Sequence, residues 1–170
     1  MYSLNRSWQL LWDKYGMAIN YRLMRLEEAN EVCGLVNEVF DQYEAPDYSA
    51  EGITEFRNYN RPEEMIRRSS ADHFVLVATE QWKIIGVIEI RNNRHVSLLF
   101  VASDFHRQGI ARQLWDRAFQ KSRDTDPAVR EFTVNSSPYA VPIYEKLGFR
   151  RTSPEQIHNG LRFVPMTLAF

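Results

Sequence analysis

Apolar positions recur along the chain with two different periods. Near the start, Trp8, Leu11, Trp12 and Tyr15 fall at i, i+3, i+4 and i+7, which is one face of a helix. Gly16 and Met17 end that pattern. Residues 1–16 therefore read as an appended amphipathic helix that docks on the domain or on a second copy, ahead of a single domain over 17–170. Residues 19–24 read as a short strand. From 27 to 43 the helical period returns, with Ala29, Val32, Cys33, Val36 and Phe40 on one face. A polar, turn-rich stretch over 44–51 follows, then a helical segment to about Asn58. Pro62 opens another that ends near Ser69.

In the middle of the chain the period changes. Residues 74–78, 83–90 and 96–102 are continuous apolar runs with β-branched content, separated by short polar stretches. They predict three sequential antiparallel strands. Runs this apolar on both faces imply a sheet covered by helices on both sides. A helix over 109–123, a strand over 131–135, a helix over 138–147 and a final strand over 161–168 complete the order. Pro138 stands in the first turn of that later helix and Gly148 just past its end. The class is mixed α/β, with helices before and after a central antiparallel meander.

Composition narrows the function. At 170 residues the chain fits one domain. Its 21 basic and 22 acidic residues leave a net charge of −1, which argues against a general nucleic-acid binder. Only Lys14, Lys83, Lys121 and Lys146 are lysine and the remaining basic residues are arginine, the side chain suited to fixed pairing with carboxylate or phosphate. The single cysteine, Cys33, excludes an internal disulfide framework and a cysteine metal cluster, and no metal site is expected. No apolar run approaches the ~18 residues of a membrane span. The N-terminus lacks the pattern of a secretory signal, so a soluble, cytoplasmic protein is expected.

Two segments carry candidate chemistry. In the first, the apolar run ending near Val101 passes through a polar loop to Gly109, which opens an amphipathic helix. The first turn of a helix offers unpaired N–H groups and the positive end of the macrodipole. Gly109 lets an anion approach the backbone and the small Ala111 does not screen it. No Gly-Lys-Ser/Thr and no three-glycine fingerprint is present, so neither a P-loop nor a dinucleotide fold is indicated. A plain strand–turn–helix connection fits the same residues. In the second segment, a strand ends at Asn135, and Tyr144 sits on the following helix, closed by Gly148 and Phe149. A tyrosine hydroxyl can serve as a general acid, or Tyr144 can be a core aromatic on a helix face.

Together these segments resemble the GNAT superfamily of acyl-CoA-dependent N-acetyltransferases. The family pattern (Arg/Gln)-x-x-Gly-x-(Gly/Ala) is matched by His106-Arg-Gln-Gly109-Ile-Ala111. The pattern Ala-x-x-x-Tyr-x-x-x-Gly-Phe is matched by Ala140-Val-Pro-Ile-Tyr144-Glu-Lys-Leu-Gly148-Phe149. His106 replaces the usual Arg or Gln, Arg107 stands where Gly is common, and Ser137 stands where many members have Asn.

The resemblance implies an α+β fold with a mixed, mostly antiparallel twisted sheet and helices on both faces. It implies an enzyme of the acyltransferase class that moves an acetyl group from acetyl-CoA to an amine by direct attack in a ternary complex. The cofactor site it implies has several parts. Backbone groups of Leu99, Phe100 and Val101 pair with the pantetheine arm. Amides of Arg107, Gln108, Gly109, Ile110, Ala111 and Arg112 hold the pyrophosphate. Asn135 and Ser137 complete the site where the fourth and fifth strands splay, at Val101 and Asn135. Tyr144 protonates the departing thiolate. The base maps to His95, with Glu89 as the rival, directly or through water. His95 as a solvent-satisfied strand-end residue, and Glu89 as an outward polar residue, are the plainer readings. An acidic loop bearing Glu44, Asp47, Tyr48 and Glu51, with Phe56 beyond it, could attract a small-molecule or peptide amine; a solvated acidic loop is the plainer reading of the same residues. No membrane partner is expected, and a homodimer is possible through the N-terminal helix. An acyl-CoA-binding sensor without transfer activity is the alternative to an enzyme.

Overall fold

The computed structural model describes residues 18–170. The N-terminal helix expected from Trp8, Leu11, Trp12 and Tyr15 lies outside the described residues. The chain opens with β1 (Asn20–Leu23), passes a 3-10 turn, and enters α1 (Ala29–Tyr43), α2 (Ala50–Tyr59) and α3 (Pro62–Ser69). The meander β2 (His73–Glu80), β3 (Lys83–Arg91) and β4 (His95–Val101) follows. Then come α4 (Ile110–Thr125), β5 (Glu131–Ser136), α5 (Val141–Leu147), β6 (Arg150–Arg151), β7 (Gln156–His158) and β8 (Leu161–Ala169). Among the described residues, no helix is long and apolar enough to cross a membrane.

The meander closes through tight turns. Gln81 and Trp82 between β2 and β3, and Asn92 and Asn93 between β3 and β4, all have φ between 45° and 64°. Paired left-handed residues of this kind match the twist of the flanking strands. The strand order is β1-β2-β3-β4-β5-β8-β6, with β7 paired to β8. Every pairing is antiparallel except β4 with β5, which is parallel and limited to His95↔Thr133 and Val96↔Val134.

Helices cover both faces, as the apolar runs require. On one face Ile85, Ile88 and Phe132 pack under Ile110, Leu114 and Trp115 of α4 and Phe149 beyond α5. Trp115 meets Phe132 and Phe149 edge-on, each at 5.0 Å, the arrangement aromatic quadrupoles favour. On the other face Val75, Val77, Val87, Leu98 and Phe100 pack against Val32, Val36 and Phe40 of α1 and Met65 of α3.

Two features differ from the sequence expectation. The helix expected from Pro138 begins at Val141, with Pro142 in its first turn. Residues 137–140 form a separate turn, closed by the Ala140 amide donating to the Ser137 carbonyl at 3.1 Å, with Pro138 at the position that favours its fixed φ. Strands β6 and β7 were not expected. They are two and three residues long and exposed throughout, so neither carries a readable period.

Candidate active site

The sheet opens where β4 and β5 part. Beyond Val96 and Val134 the two strands no longer pair, so on β4 the ladder ends five residues before the Val101 expected from the sequence. Two cavities meet along the freed edge of β4, and Leu99 and Phe100 line both.

The larger cavity, about 760 Å³, lies against the start of α4 and is lined by Val101, Arg107, Gly109, Ile110, Ala111, Arg112 and Lys146, among others. Gly109 is the N-cap of α4 at φ +81°, with no side-chain cap, so the first-turn amides lack intrahelical partners. A Cβ built on Gly109 meets nothing within 4 Å, which leaves open space over those amides. Arg107 holds φ +60°, a conformation costly for a side chain with a Cβ; that explains why glycine is common there in the family it resembles. The Arg112 guanidinium donates to the Lys146 carbonyl, tying the start of α4 to the end of α5. Helix amides and three cationic side chains make this an anion-accepting cavity.

Two expected members of that site have further polar contacts. The Gln108 side chain, not the backbone amide expected to meet the pyrophosphate, donates to the Asp104 carbonyl at 3.1 Å. The Val101 carbonyl accepts from His106 Nε2 at 2.7 Å, so an incoming chain would pair with the edge at Leu99 and Phe100. The loop gains order from this bond and from the His106 ring, 5.3 Å from Tyr43.

The second cavity, about 350 Å³, lies on the far side of that edge. Glu44, Tyr48, Glu55, Phe56, Tyr59, His95, Asn135, Ser137 and Tyr144 line it, with Arg162 and Phe163 from β8. Asn135 and Ser137, expected with the cofactor, line this cavity beside the shared edge at Leu99 and Phe100. Part of the cavity wall is the β7–β8 hairpin, which abuts the N-terminus of α2. The Tyr48 hydroxyl donates to the Arg162 carbonyl at 3.0 Å. A Cβ on Gly52 would stand 2.2 Å from the Gly160 carbonyl oxygen, so only glycine allows that contact.

The expected catalytic residues have distinct surroundings. His95 Nδ1 is 2.8 Å from Thr133 Oγ1. Burial, aided by the nearby Arg91 and His73 charges, pushes its pKa down to about 4, so the ring is neutral at pH 7 and weakly basic. Glu89 is fully buried and closed in an ion pair. Arg68 Nε and Nη2 reach its two oxygens at 2.9 and 3.3 Å, and the Tyr59 hydroxyl donates at 3.1 Å. The outward polar residue expected from the alternation is thus an interior one, at the β-bulge between Glu89 and Ile90. Tyr144 is buried with its ring edge-on to Phe149 at 5.5 Å. Burial, and secondarily the Glu44 carboxylate, hold its hydroxyl far above the ordinary tyrosine range, so it is protonated at neutral pH. Glu44 itself is pushed up to about 7, by burial above all, with the Ser137 hydroxyl drawing it partway back. Its sequence context, an acidic residue just past a helix end, carries no sign of this, because the burying groups come from distant segments.

Among the described residues, no group of three His, Cys, Asp or Glu side chains is placed to hold a metal ion.

A family model described as an acetyltransferase (GNAT) domain matches residues 44–170. A UPF0039 protein from Schizosaccharomyces pombe is 27% identical over 73 residues, covering 43% of this chain and 49% of that protein; the match spans about half the length of this curated relative. Among solved structures, the PaiA N-acetyltransferase of Thermoplasma acidophilum in complex with coenzyme A superposes with a TM-score of 0.74 at 21% identity, covering 91% of this chain and 100% of that one. A GCN5-related N-acetyltransferase from Rhodopseudomonas palustris gives 0.76 at 21% identity, covering 89% and 95%. At these identities the superpositions establish a shared fold.

Proposed function

The chain belongs to the GNAT acetyltransferase family, and from that premise we propose that it moves an acetyl group from acetyl-CoA to an amine that enters beside the β7–β8 hairpin. The observation that carries this reading is the meeting of an anion-accepting cavity and an aromatic, carboxylate-bearing one along the unpaired edge at Leu99 and Phe100. A thioester held by its phosphates at α4 would present its acyl group where the two cavities join.

In this reading the first-turn amides of α4 bind the pyrophosphate, and Arg107, Arg112 and Lys146 balance its charge. The β4 edge aligns the pantetheine arm. Phe56, Tyr48 and Tyr59 supply aromatic lining and Glu44 and Glu55 supply carboxylates, a combination that favours a cationic amine. Tyr144, kept protonated by its burial, donates to the sulfur as the thiolate leaves.

The test is thiol release from acetyl-CoA, read with a dithiobis reagent. The amine panel is 1,4-diaminobutane, phenethylamine, glycine and a short lysine peptide. At least one amine should accelerate release over the amine-free rate. If coenzyme A raises the melting temperature but no amine releases thiol, a non-catalytic acyl-CoA sensor is the better description. If coenzyme A gives no shift, the cofactor assignment itself fails.

A further inference from the structure

We infer that Glu44 is the general base of the transfer, the group that strips the proton from the incoming ammonium. This rests on the acetyltransferase reading and deepens it. Four residues line both cavities, Glu44, Leu99, Phe100 and Ala140. Glu44 alone among them carries an ionisable side chain. An amine reaching the acyl group must pass that junction, so a proton acceptor there is within reach of the nucleophile and the thioester together.

The two carboxyl and imidazole groups that the sequence nominated are worse placed. Glu89 already receives Arg68 and the Tyr59 hydroxyl on its oxygens. His95 is engaged by Thr133 and lies near the start of β4, whereas the cavities join farther along at Leu99 and Phe100.

The surroundings of Glu44 are apolar or neutral where they touch it. Tyr48 faces it from the turn after α1, and the Arg162 charge of β8 lies near that ring. Tyr139 and the Ser137 hydroxyl face it from the segment before α5, and Tyr144 from α5 itself. Its helix neighbour Tyr43 stacks on Tyr139 at 5.1 Å. Glu44 is half-buried among these groups, and that desolvation pushes its titration up to about 7, where a base is half-available at neutral pH yet strong enough to act.

The bookkeeping closes. The ammonium proton passes to the Glu44 carboxylate and out to solvent. The freed amine forms the N–C bond as the C–S bond breaks. Tyr144 gives its proton to sulfur, and the surplus proton on the new amide nitrogen restores Tyr144. The products are N-acetylamine, free thiol and one proton.

The experiment compares wild type, Glu44→Gln and Glu44→Asp with whichever amine of the panel is turned over fastest. Glu44→Gln should lower kcat at pH 7 by roughly a hundredfold or more. The wild-type acid limb near pH 7 should vanish in this variant, and its rate should recover as pH approaches the pKa of the amine itself. Glu44→Asp should restore part of the rate and of the limb. Independently of activity, carbon-13 carboxyl NMR should show one glutamate that titrates near 7 and is absent from Glu44→Gln. The coenzyme A melting shift should survive in both variants. A kcat within about threefold of wild type, an equal loss at every pH, a change in KM alone, or a Glu44 carboxyl titrating in the ordinary range would each overturn the assignment. If Glu44→Gln loses the coenzyme A shift, the pH profile of Glu44→Asp decides. A wild type that releases no thiol with any amine is instead a failure of the acetyltransferase reading.

Discussion

Two side chains, the buried Tyr144 and the half-buried His95, have ionisation set by their surroundings, and each makes a measurable commitment. Tyr144→Phe removes one hydroxyl and no packing volume. It should lower kcat by roughly 10²–10⁴-fold while leaving the coenzyme A dissociation constant within about twofold, because the hydroxyl is needed only as sulfur departs. An unchanged rate, measured where chemistry limits turnover, removes Tyr144 from the mechanism. His95 makes a prediction about stability. Folding lowers its pKa from 6.5 to about 4, so between those values the unfolded chain binds a proton that the folded one refuses. The contribution to stability is complete above about 6.5 and is lost as pH falls toward 4, a change of at most ~3 kcal/mol. Urea unfolding at pH 7 and pH 5 should show the loss in wild type and a smaller one in His95→Gln; equal slopes for both would mean the ring is not buried neutral. Much of this was legible in the sequence only as residue identity. Tyr144 and Gly109 stand in recognisable spacings, whereas the partners of Glu89, Arg68 and Tyr59, lie 21 and 30 positions away, a distance no local pattern spans. The same holds for Glu44, whose burial comes from segments a hundred residues further on.

At the scale of elements, the legible parts were those with long periods. Helices α1 and α4 and the three meander strands each carry enough apolar positions to announce themselves. The short hairpin β7–β8 does not, and it forms one wall of the acceptor cavity. Its position depends on the glycine contact with α2, which gives a sharp test. In Gly52→Ala the new Cβ would have to clear the Gly160 carbonyl oxygen, now 2.2 Å from its ideal place. Backbone must move, at a cost of about 1–3 kcal/mol. The hairpin should shift, and KM for the amine should rise several-fold while the coenzyme A shift stays. The same substitution in α1 has the opposite sign. A Cβ on Gly34 meets nothing within 4 Å, so Gly34→Ala should stabilise the fold by roughly 0.5–1 kcal/mol, the helix-propensity difference. If Gly52→Ala leaves both melting temperature and KM unchanged, the hairpin does not shape the acceptor cavity.

The described residues form one sheet with a core on each face, and the sheet opens where β4 leaves β5. That break costs ladder hydrogen bonds along the β4 edge, and a ligand that pairs with the edge and bridges to α4 would add to the few contacts that already join β4 to that helix. Binding to the folded state alone stabilises it by mass action, by about 2.7 kcal/mol at a hundredfold excess over the dissociation constant. For a domain of this length each kcal/mol raises the melting temperature by about 2–4 °C, so acetyl-CoA at that excess should raise it by about 5–11 °C. The division of labour between the helix start and the strand edge can be read from fragments. Acetyl-pantetheine keeps the arm and lacks the pyrophosphate, so at equal concentration it should give a small part of the shift. Gly109→Leu should remove most of the acetyl-CoA shift, since its side chain would fill the open space over the first-turn amides and would be strained at φ +81°. The strain alone lowers the melting temperature of the free protein, so the quantity to compare is the ligand-induced difference within each variant. A full shift in Gly109→Leu, or an acetyl-pantetheine shift as large as that of acetyl-CoA, would mean the phosphates are bound somewhere other than the start of α4.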